Sequence, residues 1–209
     1  PETISIEARA VDLDGHPDFM TKEISENGAV VRAALDIDDS KIDAVVDVIM
    51  NSERTILTGV GTSYYVALMG QYMISDLAGE FTPAMSSDEM PHMVPLRKGD
   101  HVLAISQSGE TYDTLRALRL AKENGVNLSA ILNVDSSSMA REVDQVIHQN
   151  AGPEICVLST KSTISQLALV LRLAIRLAER KETKSAAEIT QLRQDLLELP
   201  SKLDSIATG

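Results

Sequence analysis

The sequence predicts an α/β fold, a three-layer α/β/α sandwich around a mostly parallel five-stranded sheet. Three observations carry that reading. Short strand-type runs alternate with helical segments of 10 to 15 residues, the pattern of right-handed βαβ units. Aromatics are scarce, with Tyr 4, Phe 2 and Trp 0, so the core is built from aliphatic residues suited to helices on a buried parallel sheet. A chain of 209 residues is long enough for one domain with a sizeable core.

Residues 1–18 read as an acidic linker or extended arm, and residues 19–209 as a single domain. Met20, Ile24, Val31 and Leu35 have helical spacing, broken by Asn27-Gly28. Ser40 followed by Asp43 suggests a capping box opening the next helix. Strands are expected at 55–60, 81–85, 101–105, 127–134 and 145–149. Helices are expected at 64–78, 112–124, 139–143 and 162–180, with Gly79 and Gly125 as stops. A last amphipathic helix should run from 186 to 199 and end at Pro200.

Composition excludes several functions. A net charge of −12 argues against nucleic-acid and anionic-membrane partners, which are held through clustered Lys and Arg. No stretch approaches the roughly 18 apolar residues that span a bilayer, and no signal peptide is apparent, so a cytoplasmic location is expected. One cysteine, Cys156, allows no intrachain disulfide and reads as a small core residue. Four histidines without H-x-x-x-H spacing make a metal site unexpected, and no cofactor is called for. The chain opens on Pro1 without Met, and reads as processed or cut from something longer.

Two strand-to-helix junctions stand out, Val60-Gly61-Thr62-Ser63 and Ser106-Gln107-Ser108-Gly109-Glu110-Thr111. Each places glycine and small hydroxyls where a strand ends and a helix begins. There the helix supplies unpaired N–H groups and roughly +0.5 of an elementary charge. Such loops bind a phosphate without Lys or Arg, and neither loop contains one. Simple helix capping is the plainer alternative, but two such loops on neighbouring units favour an anion site. A P-loop is excluded for want of G-x-x-x-x-G-K-[ST], and Tyr64 stands against a dinucleotide fingerprint.

These two motifs, with the run Ala151-Gly-Pro-Glu-Ile-Cys-Val-Leu-Ser-Thr-Lys161, resemble the sugar isomerase (SIS) domain of the glutamine–fructose-6-phosphate aminotransferase (glucosamine-6-phosphate synthase) family. Residues 19–26 are similar to the segment that enters the isomerase part of that family. The likeness covers roughly residues 16–180 and implies a flavodoxin-like fold. It implies that Ser106, Gln107, Ser108 and Thr111 grip the phosphate of fructose 6-phosphate or glucosamine 6-phosphate. Gly61, Thr62 and Ser63 would contact the sugar, and Val157 would line the pocket through its backbone.

In the family, a Glu, a His and a Lys from a second SIS half or the tail perform catalysis. No catalytic residue is therefore assigned here, and the isolated chain is expected to be inactive. Glu110 reads as a first-turn residue facing away from the phosphate, and His148 as structural. Glu154 and Lys161 flank the pocket motif without a decided role. A homodimer, or packing against a second SIS half, is expected through the apolar faces of the helices after Ser63 and Ser162. A complete single-SIS isomerase and a non-catalytic phosphosugar sensor are the alternatives.

Overall fold

The computed structural model describes residues 12–208. Its centre is a five-stranded sheet of β1 (Arg54–Gly59), β2 (Ala84–Ser86), β3 (Asp100–Ile105), β4 (Asn127–Leu132) and β5 (Gln145–His148). The order is β2-β1-β3-β4-β5 and every pairing is parallel, with Leu57 opposite both Ala84 and Leu103. The three-layer architecture and the parallel sheet are as the sequence predicts.

Alternate strand residues feed two cores. Leu57, Leu103, Ile105, Ile131 and Ile147 pack on one face against α2 (Asn27–Leu35), α3 (Asp39–Asn51), α4 (Thr62–Ala78), α8 (Lys161–Arg180) and α9 (Ala186–Thr208). Ile56, Val102, Ala104, Leu128 and Leu132 face α5 (Met90–Met93), α6 (Tyr112–Glu123) and α7 (Ser138–Glu142) on the other. Burial on both faces is why these strands are continuous apolar runs rather than alternating ones.

Several boundaries differ from the expectation. The first helical stretch divides into α1 (Phe19–Ser25) and α2 at Glu26, not at Asn27-Gly28. Gly28 lies inside α2, where an added Cβ would strike the Pro200 carbonyl oxygen at 2.8 Å. The cap of α3 is Asp38, which accepts from the Ser40 N–H at 2.8 Å; Asp43 instead pairs with Arg176 at 2.6 Å. β2 begins at Ala84 because Pro83 has no N–H to donate, although its carbonyl accepts from Leu57 at 2.9 Å. α9 runs through Pro200 to Thr208, since packing of the buried Pro200 turn on α2 outweighs the lost helix bond. Cys156 is half-buried in a loop instead of the core.

Of the arm expected over residues 1–18, the first 11 lie outside the described residues. Among the described residues no helix is long and apolar enough to cross a membrane.

Candidate functional site

In the order β2-β1-β3-β4-β5 the winding reverses between β1 and β3, and a crevice opens there beyond the strand ends. The crevice is a cavity of about 230 Å³ lined by Val60, Thr62, Ser63, Ser106, Gln107, Ser108, Thr111, Val157, Leu158 and Ser159. Seven of the eight expected site residues therefore line one cavity. The eighth, Gly61, sits at its edge as the N-cap of α4.

The local backbone explains the motif. Gly61 adopts φ 59 and ψ −128, a conformation open to glycine and strained for any other residue. It turns the chain from β1 straight into α4, so Thr62 and Ser63 form the first turn at the crevice. Gly109, with φ 65, performs the same service after β3, and a Cβ there would strike Ser137 Oγ at 2.3 Å. The buried Ser106 hydroxyl accepts from the Gly109 N–H at 3.0 Å and closes the loop. Ser108 Oγ accepts from the Glu110 N–H at 3.2 Å, and Thr111 is the N-cap of α6.

The helix N-termini at this edge are not equivalent. Neither α4 nor α6 has a side chain capping its first turn. The start of α8 is closed by the Glu154 carboxylate, which accepts from the N–H groups of Thr160 at 2.9 Å and Ser162 at 3.0 Å. Two positive helix ends thus remain free for an anion and the third is neutralised from within. Glu154, whose role the sequence left open, is that internal cap.

Glu110 accepts from the Ser138 N–H at 2.6 Å, away from the cavity, which matches the outward orientation read from its position. That hydrogen bond holds its carboxyl below the usual carboxylate range. His148 lies beside Asp135 and is not among the lining residues. Lys161, adjacent to the pocket loop, is almost fully buried and paired with Glu26. Among the described residues the cavity is therefore lined without a charged side chain: its donors are hydroxyls, an amide and backbone N–H groups. Among the described residues no cluster of His, Cys, Asp and Glu is arranged to hold a metal ion.

Sequence reasoning passed over Gln149. Its fully buried side chain donates from Nε2 to the Ser106 carbonyl at 3.0 Å and ties the phosphate-type loop to the end of β5. The sequence shows only a polar residue closing the expected strand 145–149, and its burial and its reach to Ser106 come from the fold.

A doubly wound parallel sheet with a hydroxyl-lined cavity at its switch point is the architecture of the α/β proteins whose ligands sit in the crevice beyond the strand ends. Residues 48–176 match the family model described as SIS domain, and the chain belongs to that family. A glutamine–fructose-6-phosphate aminotransferase (isomerizing) of Thermococcus kodakarensis is 35% identical over 192 residues, 91% of this chain and 32% of that protein. The enzyme of the same name from Sulfurisphaera tokodaii is 40% identical over 173 residues, 78% of this chain and 29% of that protein. The C-terminal domain of glucosamine-fructose-6-phosphate aminotransferase from Francisella tularensis superposes with a TM-score of 0.82 at 28% identity, covering 91% of this chain and 55% of that one. The chain thus spans about a third of the length of these curated relatives.

Proposed function

We propose that the chain is a phosphosugar-binding SIS unit of the glutamine–fructose-6-phosphate aminotransferase type, taking fructose 6-phosphate or glucosamine 6-phosphate. The observation that carries the reading is the pair of uncapped helix N-termini, α4 and α6, facing one cavity with Thr62, Ser63, Ser106, Ser108 and Thr111. Ser106, Gln107, Ser108 and Thr111 surround the phosphate, while Gly61, Thr62 and Ser63 meet the sugar. Val157, whose side chain points fully into solvent, contributes its backbone.

The unit binds without turning substrate over by itself. Ketose-to-aldose conversion needs an acid and a base in contact with the sugar, a contribution of about 10²–10⁴-fold. Among the described residues the cavity lining contains no carboxylate, imidazole or amine. A partner SIS unit supplies them in this reading. It seats on the exposed stripe Tyr65, Met69 and Tyr72 of α4, one helical face beside the cavity.

The test is calorimetry with glucosamine 6-phosphate, followed by NMR of fructose 6-phosphate with a high ammonium concentration. Binding without turnover is expected. No binding sinks the site, and turnover at ordinary enzymic rates promotes a complete isomerase in which a second copy completes the centre.

A further inference from the structure

The third wall of the cavity is a loop that the fold itself does little to hold. Val157, Leu158 and Ser159 line the crevice, yet Ile155, Val157 and Leu158 are all exposed and anchor nothing in either core. Asn133 fixes the loop at its start, donating to the Gly152 carbonyl at 2.8 Å, and Glu154 ties its end to α8. Between these points one outside group reaches in. Glu23 of α1 is only 2% exposed, and its carboxylate accepts its hydrogen bonds from this loop and its hinge. Its Oε1 takes the N–H of Ile155 at 2.6 Å and of Cys156 at 3.1 Å. Its Oε2 takes the Thr160 hydroxyl at 2.5 Å. Glu26, the cap residue between α1 and α2, binds Lys161, so α1 and the turn that ends it hold both sides of the α8 start.

Burying a carboxylate costs folding free energy unless its lone pairs are filled, so a charge this deep marks a constrained geometry. Here burial acts to raise the Glu23 carboxyl, and the bonds from Thr160, Ile155 and Cys156 outweigh it and hold it below the ordinary range. We propose that Glu23 is the positioning residue for the cavity's third wall: it fixes the backbone at 155 and 156, and so places Val157 to Ser159 against the ligand. The link to affinity rests on the sugar-phosphate reading above. The hold on the loop does not.

Glu23→Ala and Glu23→Gln separate the two claims. Gln keeps an acceptor oxygen at the Oε1 position, so both loop amides stay bonded, and Ala leaves them bare. Amide exchange at Ile155 and Cys156 is expected to quicken about tenfold or more in Glu23→Ala, the scale of losing a hydrogen bond to a charged group, and to change little in Glu23→Gln. Calorimetry with glucosamine 6-phosphate should show about a tenfold loss of affinity in Glu23→Ala and recovery to within about threefold in Glu23→Gln. A purely structural role would lower the melting temperature without this rescue of affinity. Unchanged exchange at 155 and 156 in Glu23→Ala overturns the proposal, and quickened exchange with unchanged affinity overturns the link to the cavity. A wild-type protein that binds neither sugar phosphate sinks the functional reading instead, and exchange still decides whether Glu23 holds the loop. If Glu23→Ala does not fold, Thr160→Val carries the test from the loop side. It removes the hydroxyl that holds Glu23 Oε2, along with that hydroxyl's bond to Glu154. Faster exchange at Ile155 and Cys156 with weaker binding is expected, unchanged exchange there counting against the proposal.

Discussion

The two ends of the sheet are built on opposite principles. At the amino end, Arg54 holds the fully buried Asp100 with two bonds, at 2.7 and 2.8 Å, and the Arg97 N–H adds a third at 2.9 Å. Burial works to raise the Asp100 carboxyl, and these bonds overcome it and keep it below the ordinary range. Beside it, the buried His101 sits between Thr55 Oγ1 at 3.2 Å and Ser129 Oγ at 2.9 Å. The buried charge there, Asp100, is matched internally. At the carboxyl end, Thr62, Ser63 and Gln107 face a cavity, and two helices begin without a side-chain cap. Where polar groups are fully paired, they stabilise one structure; where donors are left over, a ligand can supply the acceptor.

The comparison breaks most strongly at the amino end. Arg54→Met strips Asp100 of its partner inside the protein, and should cost about 3 kcal/mol or somewhat more, since removing one member of a buried pair leaves an uncompensated charge. Arg54 is itself a third exposed, which places the effect at the lower side of that scale. Urea unfolding reads it. Affinity for glucosamine 6-phosphate should stay unchanged, because the substitution lies a full strand length from the cavity. A loss of binding in a folded Arg54→Met protein would deny that the two ends are separable.

The same end carries a pH dependence. Burial pushes the His101 imidazole down to about 4, from an ordinary value of 6.5. Between those values the unfolded chain binds a proton that the folded protein refuses, so stability rises with pH. The contribution is complete above about pH 6.5 and is lost progressively as pH falls towards 4, by about 3 kcal/mol at most. His101→Gln should remove that slope. A wild-type stability flat between pH 6.5 and 4.5 would mean that His101 is protonated in the fold.

At the carboxyl end the effects move from folding to binding. Ser108→Ala and Thr111→Val should each weaken glucosamine 6-phosphate by roughly 1.5–3 kcal/mol, the worth of a hydrogen bond to a charged group. Folding should survive, since Ser108 serves only the exposed Glu110 N–H and Thr111 makes no side-chain cap. Ser106→Ala should damage both properties, because its buried hydroxyl closes the loop at Gly109. Calorimetry showing equal affinities for the Ser108 and Thr111 variants and the wild type would remove the phosphate assignment.

Most of this contrast was legible in the sequence at one end only. The cavity motifs are local: glycine and hydroxyls within six residues of a strand end announce their own geometry, and the strands follow from unbroken apolar runs. The supports of the cavity are not local. Glu23 meets its loop 132 residues further on, and Gln149 reaches Ser106 across 43 residues. No spacing rule connects such positions. The continuation of α9 through Pro200 has the same origin, for propensity stops a helix there and only contact with α2 sustains it. α5 is four residues long, too short to show a period.

The smallest effect tests the finest part of the comparison, whether the one carboxylate inside the phosphate-type motif belongs to the site or to its scaffold. Glu110 accepts from the Ser138 N–H and faces the start of α7, with the charge of Arg141 also favouring its ionised form. In that position it acts on a phosphate only across solvent, where screening leaves little repulsion. Glu110→Gln keeps an acceptor for Ser138 and removes the charge, so affinity for glucosamine 6-phosphate should change by less than about threefold at physiological salt. If the carboxylate instead faced the phosphate at contact distance, neutralising it would tighten binding about a hundredfold, since like charges a few ångströms apart at a protein surface repel strongly. A gain on that scale would place Glu110 in the cavity and return its α7 contact to coincidence. A change within threefold leaves the cavity as a site of neutral donors, with the carboxylates of Glu110, Glu154 and Glu23 spent on capping helices and holding loops.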